Sequence, residues 1–321
     1  MNKVYVTDHA YLNLDLERGV LNGLADVIDL NPTRTEDDVI AKTQDADALM
    51  VSFASVTARV LDALPKLRGI LRYGVGFDNV DIPAATQRGV WVANVPDYCI
   101  PEVADHAMAM LLTLARKLPM LDASLRRGEW VAVKTSKPIY RLEGRTLGLI
   151  GMGRIGREVT KRAKGFGLNV IVADKYLPAD KAAEAGATLV DFDQLVRESD
   201  YISVHAPLTP ETQHLISAEA LCKMKPSALL INVSRGGIVD TVALAQALHD
   251  GRIAGAGIDV FEKEPLEADH PIRSAPNMVL AAHAAWYSEE AMAQLQRSAG
   301  EEVARMLRGD KPKNALNEVR K

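Results

Sequence analysis

The sequence predicts an α/β protein built from two doubly wound parallel-sheet domains with a cleft between them. Three observations carry that expectation. Short β-branched runs alternate with helical patterns along almost the whole chain, which is the signature of βαβ units. At 321 residues the chain exceeds one typical hydrophobic core. No Gly/Ser linker, internal repeat or low-complexity tract separates the halves, so the two lobes are expected to be closely apposed.

In the first hundred residues KVYVTD, DVIDL, DALMVS, LRGILRYG and VWVANV read as strands, with TEDDVIAKTQDA and DIPAATQRG as helices between them. The character changes at Pro101. PEVADHAMAMLLTLARKL puts proline at a first helical position and keeps apolar residues at helical spacing, predicting one helix over 101–118. LDASLRRG follows as a short helix ending in glycine. Strands then resume with TLGLIG, NVIVAD, YISVHAP, ALLINVS, IAGAGIDV and NMVLAAH. The last helix, SEEAMAQLQRSAGEEVARML, opens on Ser288 as cap with Glu289 and Glu290 in its first turn, and Ala291 stands where a complete capping box would carry Glu. These patterns divide the chain into a first lobe of residues 1–99 plus 288–321 and a second lobe of 100–287.

Hydrophobic residues make up 48% of the chain and the formal net charge is −4. No block of Lys or Arg stands alone, which argues against a nucleic-acid surface. The start, MNKVYVTDHAYLN, lacks a charged-then-apolar leader, and no apolar run is long enough to span a bilayer. Cys99 and Cys222 lie in unrelated segments, so neither a disulfide framework nor a metal pair is expected. The expectation is a cytoplasmic protein with no membrane partner and no metal.

TLGLIGMGRIGREVTKRA places Gly151, Gly153 and Gly156 after an apolar strand and at the start of a helix. A lone G-x-G-x-x-G is weak, but here it sits between a strand and a helix that lead to a second strand ending in Asp174. In a Rossmann-like unit the first glycine makes the tight turn, the second lets a pyrophosphate approach, and the third packs helix on strand. The amides of Arg154 and Ile155 then face the phosphates from a helix N-terminus. Asp174 falls where an acid grips the adenosine ribose and repels the extra phosphate of NADP. The predicted cofactor is NAD, although Lys175 beside the acid adds a positive charge.

Three further ionisable residues follow strand ends: Arg235 in INVSRGGIVD, Glu264 in GIDVFEKEPL and His283 in LAAHAAW. Ligands of doubly wound sheets bind outside the carboxyl ends of the strands, so these groups converge on the edge where a nicotinamide would lie. Reducing a 2-oxo acid needs a hydride from the cofactor and a proton for the carbonyl oxygen. Histidine can give that proton near neutral pH, a carboxylate favours the imidazolium, and arginine binds the substrate carboxylate and polarises the carbonyl. Each also has an ordinary alternative: Arg235 in a loop ion pair, Glu264 on a solvated surface, and His283 in the core. Glu262 competes with Glu264 for the acidic role.

The chain resembles the D-isomer-specific 2-hydroxyacid dehydrogenases over nearly its whole length. The motifs are RYGVGFDNVD at 72–81, NVPDYCIPEVADHA at 94–107, GLIGMGRIG at 148–156, HAPLTPETQHLI at 205–216, NVSRGGIVD at 232–240, GIDVFEKEP at 257–265 and HAAWYSEE at 283–290. The resemblance implies that Arg235, Glu264 and His283 form the catalytic triad. The HAAWYSE run is most similar to the branch that includes the C-terminal binding proteins. The Gln and Asn signatures of formate dehydrogenases are missing, and the chain is too short for the regulatory domain that phosphoglycerate dehydrogenases often carry.

The resemblance further implies that the amides of Val75 and Gly76 hold the substrate carboxylate across the cleft from Arg235. It implies that Arg72 contacts substrate, that Trp286 walls the pocket, and that Tyr98 sits at the lobe junction. His205, Pro207 and Thr212 match the adenine end and cofactor cleft, and Val233 and Asp259 match positions touching the nicotinamide and its carboxamide. His9, His214, His249 and His270 read as surface or loop residues, and His106 as structural. The apolar face of 102–118 and the arm after it need cover, and in the family this region pairs two subunits, which implies a homodimer. The expected activity is hydride transfer between NAD(H) and a 2-oxo or D-2-hydroxy acid; the alternative is an NAD(H)-sensing, corepressor-like binding protein with little catalysis.

Overall fold

The computed structural model describes residues 1–130 and 132–319, so the last two residues of the expected first lobe, 320 and 321, lie outside the described residues. The chain forms two compact units. One comprises Met1–Cys99 together with the chain from Tyr287 onward, and the other is Ile100–Trp286. Every strand read from the sequence is present, and all pair in parallel.

The first unit is a five-stranded sheet of β1 (Asn2–Val6), β2 (Ala25–Asp29), β3 (Ala48–Val51), β4 (Gly69–Arg72) and β5 (Trp91–Asn94), in the order β2-β1-β3-β4-β5. Central β3, ALMV, is buried at every position, as a parallel strand covered on both faces requires, whereas edge strand β2 exposes part of its length. Val39, Leu49, Val51, Val60, Ile70 and Val92 fill the core on one side. The helix Glu289–Arg308 starts where Ser288 accepts the Ala291 N–H at 2.9 Å and stops at Gly309, whose φ of 83° only glycine adopts readily. It lies against β4, where a Cβ on Gly69 would strike the sulfur of Met306.

A buried polar cluster ties that helix to the start of the chain. Gln296 Nε2 donates to Glu17 Oε2 and to the Asn13 carbonyl, both at 2.9 Å, while the Tyr73 hydroxyl donates to Glu17 Oε1 at 2.8 Å. Burial pushes the Glu17 carboxyl up, and these hydrogen bonds oppose it. His9, read from sequence as a surface or loop residue, is instead buried. Its ring stacks on Tyr11 at 5.4 Å, and its Nε2 lies 3.2 Å from both oxygens of Asp29.

The second unit is a seven-stranded sheet of β6 (Thr146–Ile150), β7 (Asn169–Ala173), β8 (Thr188–Leu189), β9 (Tyr201–Val204), β10 (Leu229–Asn232), β11 (Gly255–Ile258) and β12 (Met278–Leu280). Their order is β12-β11-β10-β9-β6-β7-β8, so the direction of winding reverses beside β6 and opens a crevice at its carboxyl end. Strands β9, β10 and β11 are buried throughout, with Leu195, Ile202, Val204, Leu230 and Ile258 in the core. The two-residue edge strand β8 has too little pattern to be read from sequence.

The helix expected over 101–118 ends at Ala115. Lys117 is left-handed at φ 51°, and a separate helix, Leu118–Arg126, begins after it with Pro119 in its first turn. Proline explains the break: in a continuous helix Pro119 would lack the N–H that bonds to Ala115, and its ring would press on that carbonyl. Among the described residues no helix is long and apolar enough to cross a membrane, and no group of three or more His, Cys, Asp or Glu could hold a metal ion.

Candidate active site

The glycine turn follows β6. Gly151 has φ 87°, and a Cβ there would lie 2.8 Å from the Ala206 nitrogen, so both its conformation and its neighbours demand glycine. A Cβ on Gly156 would come within 2.8 Å of the Gly151 carbonyl oxygen, which is the close helix-to-strand packing the motif provides. Around Gly153, by contrast, there is open space. The helix Arg154–Gly165 starts at Gly153, a capping residue with no side chain, and the positive end of its dipole lies at the glycine turn. The residues present fit a dinucleotide.

Asp174 stands at the end of β7. Its Oδ2 accepts the Met152 N–H at 2.9 Å, which ties the acid to the glycine turn, and its Oδ1 accepts the Tyr176 N–H at 3.0 Å. Lys175 turns away to Glu211, with Nζ 2.9 and 3.0 Å from the two carboxylate oxygens. Across β6, the His205 N–H donates to the Ile150 carbonyl and its Nε2 lies 2.8 Å from the Ser203 hydroxyl. Burial pushes this histidine down to about 4, so it is neutral in the physiological range. Thr212 donates to the Pro207 carbonyl at 2.7 Å and accepts the Thr209 N–H, shaping the 207–212 turn. Val233 is buried just past β10.

The loops after β10, β11 and β12 carry the ionisable cluster. His283 Nδ1 lies 2.7 Å from Glu264 Oε2, while Glu264 Oε1 accepts the Phe261 N–H at 2.9 Å. Burial pushes the Glu264 carboxyl up, but the hydrogen bond and charge of His283, the Phe261 N–H and the Arg235 charge outweigh it, and the group titrates below the usual carboxylate value. An ionised carboxylate can only accept, so Nδ1 carries the proton of this bond. Glu262 does not share the site. Its Oε1 lies 2.5 Å from His214 Nε2, and its Oε2 accepts the Thr241 hydroxyl at 3.1 Å.

Arg235 begins a loop that packs against the loop carrying Glu264. A Cβ on Gly236 would collide with the Phe261 carbonyl, so glycine lets the two loops meet. Asn232, fully buried, donates to the Arg235 carbonyl at 2.9 Å and accepts the Ser234 N–H at 3.1 Å. The sequence reading passed over Asn232, although an asparagine at a strand end followed by two glycines is a signal for such a turn.

Asp259 is fully buried, and its carboxylate does not face outward. Oδ1 accepts the Ala284 N–H at 2.8 Å, Oδ2 accepts the Ala285 N–H at 3.0 Å, and its carbonyl accepts the His283 N–H at 2.7 Å. His283 has φ 53°, a left-handed conformation that is costly for a residue with a Cβ, and these three bonds hold it there. Trp286, half-buried, is the last residue of this unit.

In the first unit the loops at the carboxyl ends of β1 and β3 meet at buried Asp8, whose carboxylate accepts the N–H groups of Ser52, Phe53 and Ala54. Arg72 closes β4, and Gly74, at φ 115°, leaves the space its guanidinium fills; a Cβ there would also lie 3.6 Å from the Tyr98 hydroxyl. The Val75 carbonyl accepts from Asn94 Nδ2 at 2.6 Å, which pins the Val75–Gly76 stretch. Asp8 and Asn94 were not singled out from sequence, because acids and amides at strand ends carry no pattern of their own.

The D-isomer specific 2-hydroxyacid dehydrogenase NAD binding domain matches residues 108–285 of this chain. The chain belongs to that family. A glyoxylate reductase of Korarchaeum cryptofilum is 42% identical over 283 residues, covering 87% of this chain and 85% of the relative. A D-3-phosphoglycerate dehydrogenase of Methanocaldococcus jannaschii is 42% identical over 88% of this chain, which spans only 54% of that longer relative. Among solved structures, D-lactate dehydrogenase from Aquifex aeolicus, complexed with NAD and lactic acid, superposes with a TM-score of 0.84 at 28% identity, covering 96% of each chain. This 2-hydroxyacid dehydrogenase family member is therefore an NAD-linked oxidoreductase acting between 2-oxo and 2-hydroxy acids, and the NAD-binding match falls within its second unit.

Proposed function

We propose that the chain reduces a 2-oxo acid to the D-2-hydroxy acid with NADH, and catalyses the reverse with NAD, using His283 as acid and base. The observation that carries this reading is the 2.7 Å contact between His283 Nδ1 and Glu264 Oε2. A bound NADH supplies the hydride for the carbonyl carbon. His283 delivers a proton to the carbonyl oxygen through Nε2, while Glu264 holds the ring in the tautomer and orientation that aim this nitrogen outward. Arg235 binds the substrate carboxylate and draws charge from the carbonyl oxygen. Asp259 holds the loop that presents His283.

In the first unit the amides of Val75 and Gly76 are offered to a substrate carboxylate, with Arg72 and Tyr98 as further substrate contacts, and in the second unit Trp286 is a substrate contact. On the cofactor side Gly151, Gly153, Gly156, Arg154 and Ile155 hold the pyrophosphate and Asp174 the ribose, with His205, Pro207, Thr212 and Val233 along the crevice. The protein works as a homodimer. Leu118, Leu125, Trp130 and Val133 are exposed on the arm after the helix Ile100–Ala115, beside a cavity of 580 Å³ lined by Leu114, Met120, Tyr140, Leu229 and Met278. A second copy is the partner such a face fits.

Absorbance of NADH followed over a panel of 2-oxo acids, glyoxylate first among them because of the relative that carries that name, tests the reading. Turnover of at least one acid, with a D-configured product wherever the new carbon is chiral, is expected. No turnover on any of them contradicts it.

A further inference from the structure

Lys175 and Glu211 stand on the loops that follow β7 and β9, the two strands flanking β6. Their side chains meet with Nζ 2.9 and 3.0 Å from the two oxygens of Glu211, joining the loops that leave the two strands beside β6. The contact is a poor candidate for a stabilising device, since the side chains are 66% and 60% exposed. Its position is more telling. Lys175 directly follows Asp174, whose carboxylate is locked between the Met152 and Tyr176 amides at the ribose end of the cofactor site.

An ammonium has three donors and no fixed direction, so a lysine beside the ribose acid is a ready partner for a 2′-phosphate. Glu211 removes that option by engaging the ammonium with both carboxylate oxygens. We infer that Glu211 is a cofactor-selectivity residue, acting through Lys175 to exclude NADPH. The inference rests on the dinucleotide site described above and adds to it a determinant outside the glycine motif and Asp174. It implies that removing Asp174 alone leaves Lys175 occupied and does not create tight NADPH binding.

Dissociation constants for NADH and NADPH, measured by fluorescence titration without substrate, test it. Glu211→Gln is an exposed, near-isosteric change that preserves folding. It should tighten NADPH binding on the order of tenfold, the worth of one charge-assisted hydrogen bond to phosphate, and change NADH binding less than twofold. The gain should shrink with rising ionic strength and vanish in the double variant Lys175→Ala/Glu211→Gln. An unchanged NADPH constant in Glu211→Gln overturns the inference while leaving the cofactor site intact. A gain that survives loss of Lys175 overturns it too, by assigning the phosphate to another cation such as Arg154. Failure of the unmodified protein to bind either nucleotide overturns the cofactor site itself, and the inference with it.

Discussion

Asp259 holds His283 from both of its faces: its carbonyl accepts the histidine N–H at 2.7 Å, and its carboxylate accepts the next two N–H groups at 2.8 and 3.0 Å. The left-handed turn at His283 depends on this buried acid, because no glycine is present to adopt φ 53° without strain. Asp259→Ala is expected to lower turnover on the order of a hundredfold by letting the imidazole drift from its working position. Unfolding should become easier by about 2–4 kcal/mol, since buried N–H groups lose their acceptor. Steady-state kinetics and denaturant titration check both numbers; near-normal turnover would show that the loop holds its shape without the acid.

Glu264→Gln separates orientation from charge. The amide still bonds to His283, but without its negative charge the imidazolium is less favoured. Reduction should therefore lose activity at a lower pH than in the unmodified enzyme, with a smaller loss at the new optimum than His283 variants show. Stability follows a defined sign. Glu264 titrates below its unfolded value of 4.5, so its contribution is complete above about pH 4.5 and is lost as pH falls through the lower folded value. Acid unfolding followed by circular dichroism should show that dependence in the unmodified chain and lose it in Glu264→Gln.

Asp174→Ala is expected to weaken NADH on the order of tenfold, because the ribose loses its acceptor and the Met152 amide in the glycine turn loses its anchor. Discrimination between the nucleotides should narrow by loss of NADH affinity, not by gain of NADPH affinity. Fluorescence titration of both nucleotides reads this directly.

Assembly is checked by sedimentation at micromolar concentration, where a dimer is expected. Replacing the exposed Trp130, whose side chain is 89% accessible in the single chain, by a charged residue should shift the species toward monomer. A monomer for the unmodified protein would remove the dimer from the account.

Much of the fold was legible because its strands are short, β-branched and separated by helical patterns. What escaped was local. Proline at 119 split a helix whose apolar spacing runs on past the break, and β8 is two residues long. His9 looked exposed because nothing in its neighbours announces the Tyr11 ring and the Asp29 carboxylate that surround it. In the site, sequence order placed Arg235, Glu264 and His283 past strand ends but left Glu262 as a rival. Only geometry separates the two acids, one facing His283 and the other His214. The supporting groups Asp8, Asn94 and Asn232 were illegible because buried hydrogen bonding has no periodicity. Asp259 was legible as a position, while its grip on the histidine loop was not.

The proton transfer at His283 is the centre of the account, and the pH dependence of kcat/KM in both directions tests it most directly. Reduction should fall as pH rises and the imidazolium is lost, and oxidation should rise over the same range. His205 cannot supply either limb, since burial holds it down to about 4. His283→Asn should lower both rates on the order of a hundredfold or more and flatten both profiles, with NADH binding little changed. Near-normal turnover with unaltered profiles in His283→Asn would contradict the account and leave the histidine a structural residue.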